Sequence, residues 1–334
     1  MSHIHPNFWE RLPAPFFALA PLDDVTDAAF RRIIAKYGKP DVFFTEFTSA
    51  DGLVHPKGRR AILPKLWFSE EERPIVAQLF SAHPEKMREA ARQVGELGFD
   101  GLDINMGCPD RAVNKQGAGA ACIQDFKQAQ ALIVAAQEGI RDSGKKIPVS
   151  VKTRLGFDKD ILETWLPALL EAGPQAITLH ARTRKEMSSV PARWDRIARA
   201  VEIAKGSGTR IIGNGDVRDI AHARALALET GVDGVMLGRA IFGNPWLFDE
   251  KKMTIPAEER LEVMREHTDM YASLFEGKKS FELMKKHYHA YASGFPNAKE
   301  LRLALMGCAD AASVREVVAR FLAENSRRTS ADTE

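Results

Sequence analysis

Short apolar runs alternate with amphipathic stretches from Phe16 to about Phe248, polar residues gather where those runs end, and strand character stops at Pro256. These three features predict an α/β fold: a (β/α)8 TIM barrel followed by a small all-helical C-terminal domain. The apolar runs are Phe16–Ala20, Val42–Glu46, Ile75–Phe80, Gly101–Asn105, Val149–Lys152, Ala176–His180, Arg210–Gly213 and Gly234–Leu237. Each is short and bounded by turn residues, as buried parallel strands are. Helical periodicity lies between most of them, over Ala28–Tyr37, Pro84–Leu97, Asp125–Ser143, Ile161–Ala172, Trp194–Lys205 and Asp219–Thr230. A doubly wound sheet is the competing architecture. It ordinarily announces itself with a glycine-rich turn after the first strand. Here that turn reads Ala20-Pro21-Leu22-Asp23-Asp24, so the barrel is favoured.

From Ala257 to Asn325 only helical patterns remain, broken near Gly277, Gly294-Phe295-Pro296 and Gly307. The predicted organisation is therefore a catalytic barrel over 1–250, a helical domain over 251–326 and a polar, disordered tail over 327–334. With 334 residues, 45% hydrophobic and 28% charged, the chain can bury a large core. Lys+Arg number 47 and Asp+Glu 45, a net charge of +2, so bulk charge neither demands nor excludes a nucleic-acid partner. Three cysteines without CxxC spacing argue against a disulfide framework or a zinc knuckle, and no metal is expected. Neither a signal peptide nor a membrane span is legible, and a cytoplasmic protein is expected.

The most informative stretch is Asp103-Ile104-Asn105-Met106-Gly107-Cys108-Pro109. An apolar strand runs into a turn bounded by glycine and proline that carries one thiol. Strand C-termini carry the chemistry of such barrels, so Cys108 is a candidate proton donor or nucleophile. Free cysteines more often act as small buried hydrophobes, but the Gly107 and Pro109 flanks describe an exposed turn. The same ends bring Gln78, Asn105, Lys152, Arg154, His180, Arg182, Asn214 and Asp216. Singly each has an ordinary reading: a solvated lysine, a core histidine, an Asn-Gly turn. Together they are hard to explain by packing. Gly213-Asn214-Gly215-Asp216, Gly238-Arg239 and a short helix expected over Ile241–Phe248 suggest a phosphate cradle. It suits a phosphorylated cofactor or, alternatively, a phosphorylated substrate.

Seven segments in chain order carry a resemblance to a known family: APLDDVTDAAFR (Ala20–Arg31), VAQLF (Val76–Phe80), DINMGCP (Asp103–Pro109), KTRLG (Lys152–Gly156), TLHARTR (Thr178–Arg184), GNGDV (Gly213–Val217) and GVMLGRAIFGNPWLF (Gly234–Phe248). The helical segment MKKHYHAY (Met284–Tyr291) extends it. The chain resembles the tRNA-dihydrouridine synthases, FMN-dependent reductases that convert uridine in RNA to 5,6-dihydrouridine. The resemblance implies FMN as cofactor, NADPH or NADH as reductant and tRNA as partner, with no stable protein partner. It makes Cys108 the proton donor to C5 after hydride reaches C6. It makes Pro21, Leu22, Gln78, Lys152, His180, Asn214, Gly215, Asp216, Gly238 and Arg239 contacts of FMN. Substrate contacts are Asn105, Arg154, Arg182 and, on the helical domain, Lys285, Lys286, His287 and Tyr288. On a helix, Lys285, Tyr288 and Tyr291 fall at spacings of three and can share a face; a solvated face with two buried tyrosines is the other reading. Lys299, Arg302 and the loop residues Lys57, Arg59 and Arg60 are further phosphate contacts to consider. Leu22 stands where the family more often has methionine, and KEMSSVPARW after Arg184 lacks the family's usual pattern there, which bears on target choice. An FMN reductase of free pyrimidines and a non-catalytic RNA-binding protein are the alternatives. The helical domain speaks against the first, and intact Cys108 and Lys152 against the second.

Overall fold

The computed structural model describes residues 7–252 and 254–331. Nine strands form one parallel sheet: β1 (Phe16–Leu19), β2 (Phe43–Phe44), β3 (Thr48–Ser49), β4 (Ile75–Phe80), β5 (Gly101–Met106), β6 (Val149–Arg154), β7 (Ala176–His180), β8 (Arg210–Asn214) and β9 (Gly234–Leu237). The order is β1-β9-β8-β7-β6-β5-β4-β2, with β3 also pairing β4. The ring is closed by main-chain bonds between β1 and the start of the second run, Leu19 N to Val42 O at 3.0 Å and Asp41 N to Phe17 O at 2.9 Å. The barrel predicted from the alternation is therefore present, with one difference. The second apolar run is a strand only over β2, and β3 follows beyond its end, because Glu46 turns inward between them and is fully buried. Its carboxylate accepts from the Asp24 amide at 2.8 Å and pairs with Lys279 at 2.8 Å.

The helices between strands start on capping side chains visible in the sequence. Asp27 accepts from the Phe30 amide, Asp125 from Gln128 and Asp219 from His222. Their apolar faces cover the outside of the sheet, while Phe16, Ala18, Phe44, Val76, Ile212 and Met236 fill the barrel interior.

Two expected elements are corrected. The helix expected over Ile241–Phe248 is a single 3-10 turn, Arg239–Ile241, followed by irregular turns. Gly243 adopts φ +68° with the Ala290 backbone against it, and Pro245 has no amide to donate. The tail expected from residue 327 is helical as far as Ala331, the end of the helix Ala311–Ala331; residues 332–334 lie outside those described.

After Pro256 the chain forms Ala257–Phe275, Lys285–Tyr291, Ala298–Met306 and Ala311–Ala331. These helices share one buried core with the barrel. Phe30 stacks on His267 at 4.8 Å and meets His287 edge-on at 4.6 Å, and Trp67 stacks on Phe275 at 5.8 Å. The buried core thus runs on across the boundary expected near residue 250. Among the described residues, no helix is long and apolar enough to cross a membrane.

Candidate active site

The strand C-termini surround a cavity of about 440 Å³, within the range of small-molecule and cofactor sites. Of the residues singled out from sequence, it brings together Pro21, Leu22, Asn105, Cys108, Lys152, Arg154, His180, Asn214, Gly215, Gly238 and Arg239.

Cys108 follows β5 on a turn fixed from several sides. Asn105 Oδ1 accepts from the Gly107 and Cys108 amides at 3.1 and 2.8 Å. Arg154 Nε donates to Gly107 O at 2.7 Å, and Asn114 Nδ2 to Cys108 O at 2.8 Å. Burial pushes the Cys108 thiol pKa up, which keeps it protonated near neutrality. The site therefore holds Cys108 as a neutral thiol, not a resting thiolate.

A buried network lies beneath that turn. Asn105 Nδ2 donates to Gln78 Oε1 at 3.0 Å, Gln78 Nε2 to Asp103 Oδ2 at 2.7 Å and Ser150 Oγ to Asp103 Oδ1 at 2.6 Å. Gln78, expected at the cofactor, is fully buried in this floor and is not among the residues lining the cavity. Its amide is spent holding Asn105, and burial raises the Asp103 pKa to about 6.

Lys152 donates to Asn214 Oδ1 at 3.0 Å, and Asn214 Nδ2 donates to Met236 O at 2.9 Å. Burial, then the charge of Arg154, lowers the Lys152 pKa to about 8. Arg154 is lowered to about 10 by burial and stays charged. His180 sits well below its ordinary value through burial and the cations around it. Its Nε2 lies 3.1 Å from Arg182 Nη1. A guanidinium only donates, so Nε2 accepts and the neutral ring carries its proton on Nδ1.

Arg182 and Asp216 form a second layer. Arg182 is 2% exposed and is held by Val190 O at 2.6 Å, by His180 and by Asp216. Arg182, expected to contact substrate, is absent from the cavity lining and is held behind His180 and Asp216. Asp216 in turn receives Arg239 Nη2 at 2.8 Å and aims that guanidinium; it too is absent from the lining. Gly215 has φ +130°, and a Cβ there would approach Ala192 Cβ at 2.8 Å and the His180 ring at 3.2 Å.

The helical candidates fall elsewhere. His287 and Tyr288 are buried, at 1% and 0% exposure. His287 packs against Phe30, His267 and Phe242, and Tyr288 accepts a hydrogen bond from Thr268. The helix Lys285–Tyr291 turns Met284, His287, Tyr288 and Tyr291 inward, so the expected contacts at 287 and 288 are corrected to core residues. Lys285 pairs with Glu282 at 2.7 Å, and Lys286 stands outward with Asp24 at 3.7 Å.

Sequence reasoning missed Asp23, Phe47, Met187, Ser188 and Phe242, which also line the cavity. Phe47 lies just past the run Val42–Glu46 and carries no polar group to mark it. Met187 adopts φ +50°, which no residue pattern announces.

The donor set fits an anionic, phosphorylated group. Among the described residues Lys152 has one hydrogen-bond partner for three donors, Arg239 is aimed from behind, and Gly215 leaves a space that a side chain would fill.

A model of the dihydrouridine synthase family matches residues 18–326. A probable tRNA-dihydrouridine synthase of Staphylococcus aureus (strain COL) is 38% identical over 322 residues, covering 95% of this chain and 96% of the relative. Probable tRNA-dihydrouridine synthase 2 of Bacillus subtilis (strain 168) is 42% identical over 268 residues, covering 79% and 81%. Among solved structures, a 2-naphthoyl-CoA reductase complex superposes with a TM-score of 0.53 at 13% identity, over 72% of this chain and 50% of the other. That likeness shows the barrel alone. Matches of this length, over a barrel whose strand ends carry the quoted motifs, place the chain in the dihydrouridine synthase family, a family of oxidoreductases.

Proposed function

We propose that the protein reduces the C5=C6 bond of uridines in tRNA to 5,6-dihydrouridine, with FMN as cofactor and NADPH or NADH as reductant. The observation that carries this reading is one cavity holding both a protonated Cys108 on a fixed turn and a cationic cradle of Lys152 and Arg239. The relatives' names, tRNA-dihydrouridine synthase, supply the substrate class. When bound, FMN supplies the hydride that pyrimidine C6 receives. Cys108 holds the second hydrogen and delivers it as a proton to C5, then recovers a proton from water. Asn105 and Arg154 keep its turn in place. Lys152 and Arg239 balance the cofactor's negative charge, with His180, Asn214, Gly215, Gly238, Pro21 and Leu22 as the remaining wall. A uridine within folded RNA has to leave its stack to reach Cys108, which costs a few kcal/mol.

Two measurements test the reading. The purified protein should be yellow or take up FMN, and RNA from cells lacking it should lose dihydrouridine at defined positions. A colourless protein that FMN does not reconstitute, or an unchanged dihydrouridine map, overturns it. Reduction of free uracil or orotate with no activity on RNA would move the assignment to a free-pyrimidine reductase.

A further inference from the structure

We propose, on the uridine-reducing reading above, that a second chamber beside the catalytic cavity, walled by Arg111, Arg184 and Lys185, is a phosphate site that holds the RNA backbone next to the reacting base. This chamber has a volume of about 610 Å³. It shares Asp23, Phe47, Cys108, Pro109 and Met187 with the first cavity. The two spaces therefore meet at a throat, and the Cys108 thiol stands in it. A base presented to that thiol enters the throat, whose walls include Phe47 and Met187. Its sugar and phosphates then extend into one chamber or the other. The first holds the cradle of Lys152 and Arg239, the place of the cofactor. The second is left for the polynucleotide.

The chemistry of its walls fits phosphodiesters. Among the described residues, Arg111, Arg184 and Lys185 make no ion pair with a carboxylate. Elsewhere on the barrel surface, Arg88, Arg92, Arg196 and Arg199 are each paired. The Arg184 guanidinium lies over the Phe157 ring at 5.0 Å, and its Nε is buried without a partner. A planar cation held on a ring is pre-oriented for a phosphate. The chamber also contains Asp23 and Asp110, but both carboxylates are engaged. Asp110 accepts from the Ala112 and Val113 amides at 2.8 and 3.0 Å, and Asp23 pairs with Lys65 at 2.5 Å. Arg154 donates to Met187 O at 3.3 Å and ties the Arg184–Met187 segment to the turn that carries Cys108.

The test uses the full chain and an unmodified tRNA transcript. Arg111 and Lys185 are exposed, so Arg111→Gln and Lys185→Gln do not threaten the fold. Each should raise KM for the transcript roughly tenfold, the effect of losing one charge-assisted contact. Each should also lower the slope of log affinity against log salt, read by fluorescence anisotropy, by about one. Flavin content and NADPH-driven flavin reduction should stay unchanged. Arg184→Lys keeps the charge and loses the planar fork, so it should raise KM without lowering the slope. Lys205→Gln, at the opposite end of the barrel, should change neither and controls for net charge. An unchanged slope in Arg111→Gln and Lys185→Gln overturns the proposal. So does a raised KM for NADPH in place of one for RNA, which would give the chamber to the dinucleotide. Failure of the uridine-reducing reading shows separately, as absence of dihydrouridine with the wild-type protein, and the binding slopes still decide the phosphate site.

Discussion

Replacing Lys152 by methionine separates the cost of the cavity's charge from its use. The ammonium has a single hydrogen-bond partner, Asn214 Oδ1, and its pKa falls from 10.5 to about 8 through burial first and Arg154 second. Below pH 8 the lysine is charged in both the folded and unfolded chain, and the folded state carries the whole penalty. Between pH 8 and 10.5 the folded lysine gives up its proton first and the penalty shrinks. Above 10.5 both forms are neutral and the group contributes nothing. The gap corresponds to about 3 kcal/mol at about 1.4 kcal/mol per pH unit. The cavity admits water on one side, so about 1–2 kcal/mol is the expected effect. Methionine removes this penalty but strands Asn214 Oδ1, at a cost of about 1 kcal/mol. The two nearly cancel at pH 7, so the informative quantity is how the difference between variant and wild type changes with pH. The advantage of Lys152→Met should fall by about 1–2 kcal/mol between pH 7.5 and 10.5 in denaturant unfolding of the flavin-free protein. A difference independent of pH refutes the placing of a costly ammonium in this cavity. The same variant should bind FMN more weakly, because the penalised charge is the one an anionic ligand relieves.

Cys108→Ala should keep fold and flavin but lose at least about 100-fold in dihydrouridine formation, while NADPH-driven bleaching of the flavin persists; product at the wild-type rate would remove Cys108 from its role. Gly215→Ala should lower FMN affinity at least about tenfold, since φ +130° and the Ala192 contact force the loop to shift, and fluorescence titration reads this directly. Glu72→Gln should destabilise the protein by about 3–5 kcal/mol, because it leaves fully buried Arg31 without its carboxylate at 2.6 Å. Combining it with Arg31→Met should recover most of that loss in the same unfolding experiment.

The barrel was legible because parallel strands covered on both faces leave continuous apolar runs, and these are separated by helices with acidic caps. Asp27, Asp125 and Asp219 sit where the capping signal places them. The misreadings have local causes. Val42–Glu46 reads as one strand, because nothing in five residues shows that Glu46 will find Lys279, 233 positions away, and turn inward to meet it. Ile241–Phe248 has helical composition, but the chain there has to pass the Ala290 backbone, and Gly243 yields to that contact. Both are tertiary interactions overriding a local preference.

In the site, residue type and strand position picked out groups that the fold gathers at one end of the barrel, but not their depth. Cys108, Lys152, His180 and Asn214 reach the cavity because each stands within two residues of a strand's C-terminal end. Gln78, Arg182 and Asp216 come from the same region and carry equally polar groups, yet they support rather than line it. Depth is set by which neighbour claims each donor. Asp103 claims Gln78, and Asp216 claims Arg182, and neither pairing follows from spacing along the chain. The helix Lys285–Tyr291 shows the same limit in another form. Its seven residues are amphipathic at two phases, and only the arrival of Phe30, Thr268 and Phe242 decides that His287 and Tyr288 face inward. Basic residues whose charge the fold leaves uncompensated are therefore better guides to an RNA surface than basic composition. By that criterion Arg111, Arg184 and Lys185 outrank Lys285, whose ammonium Glu282 already holds.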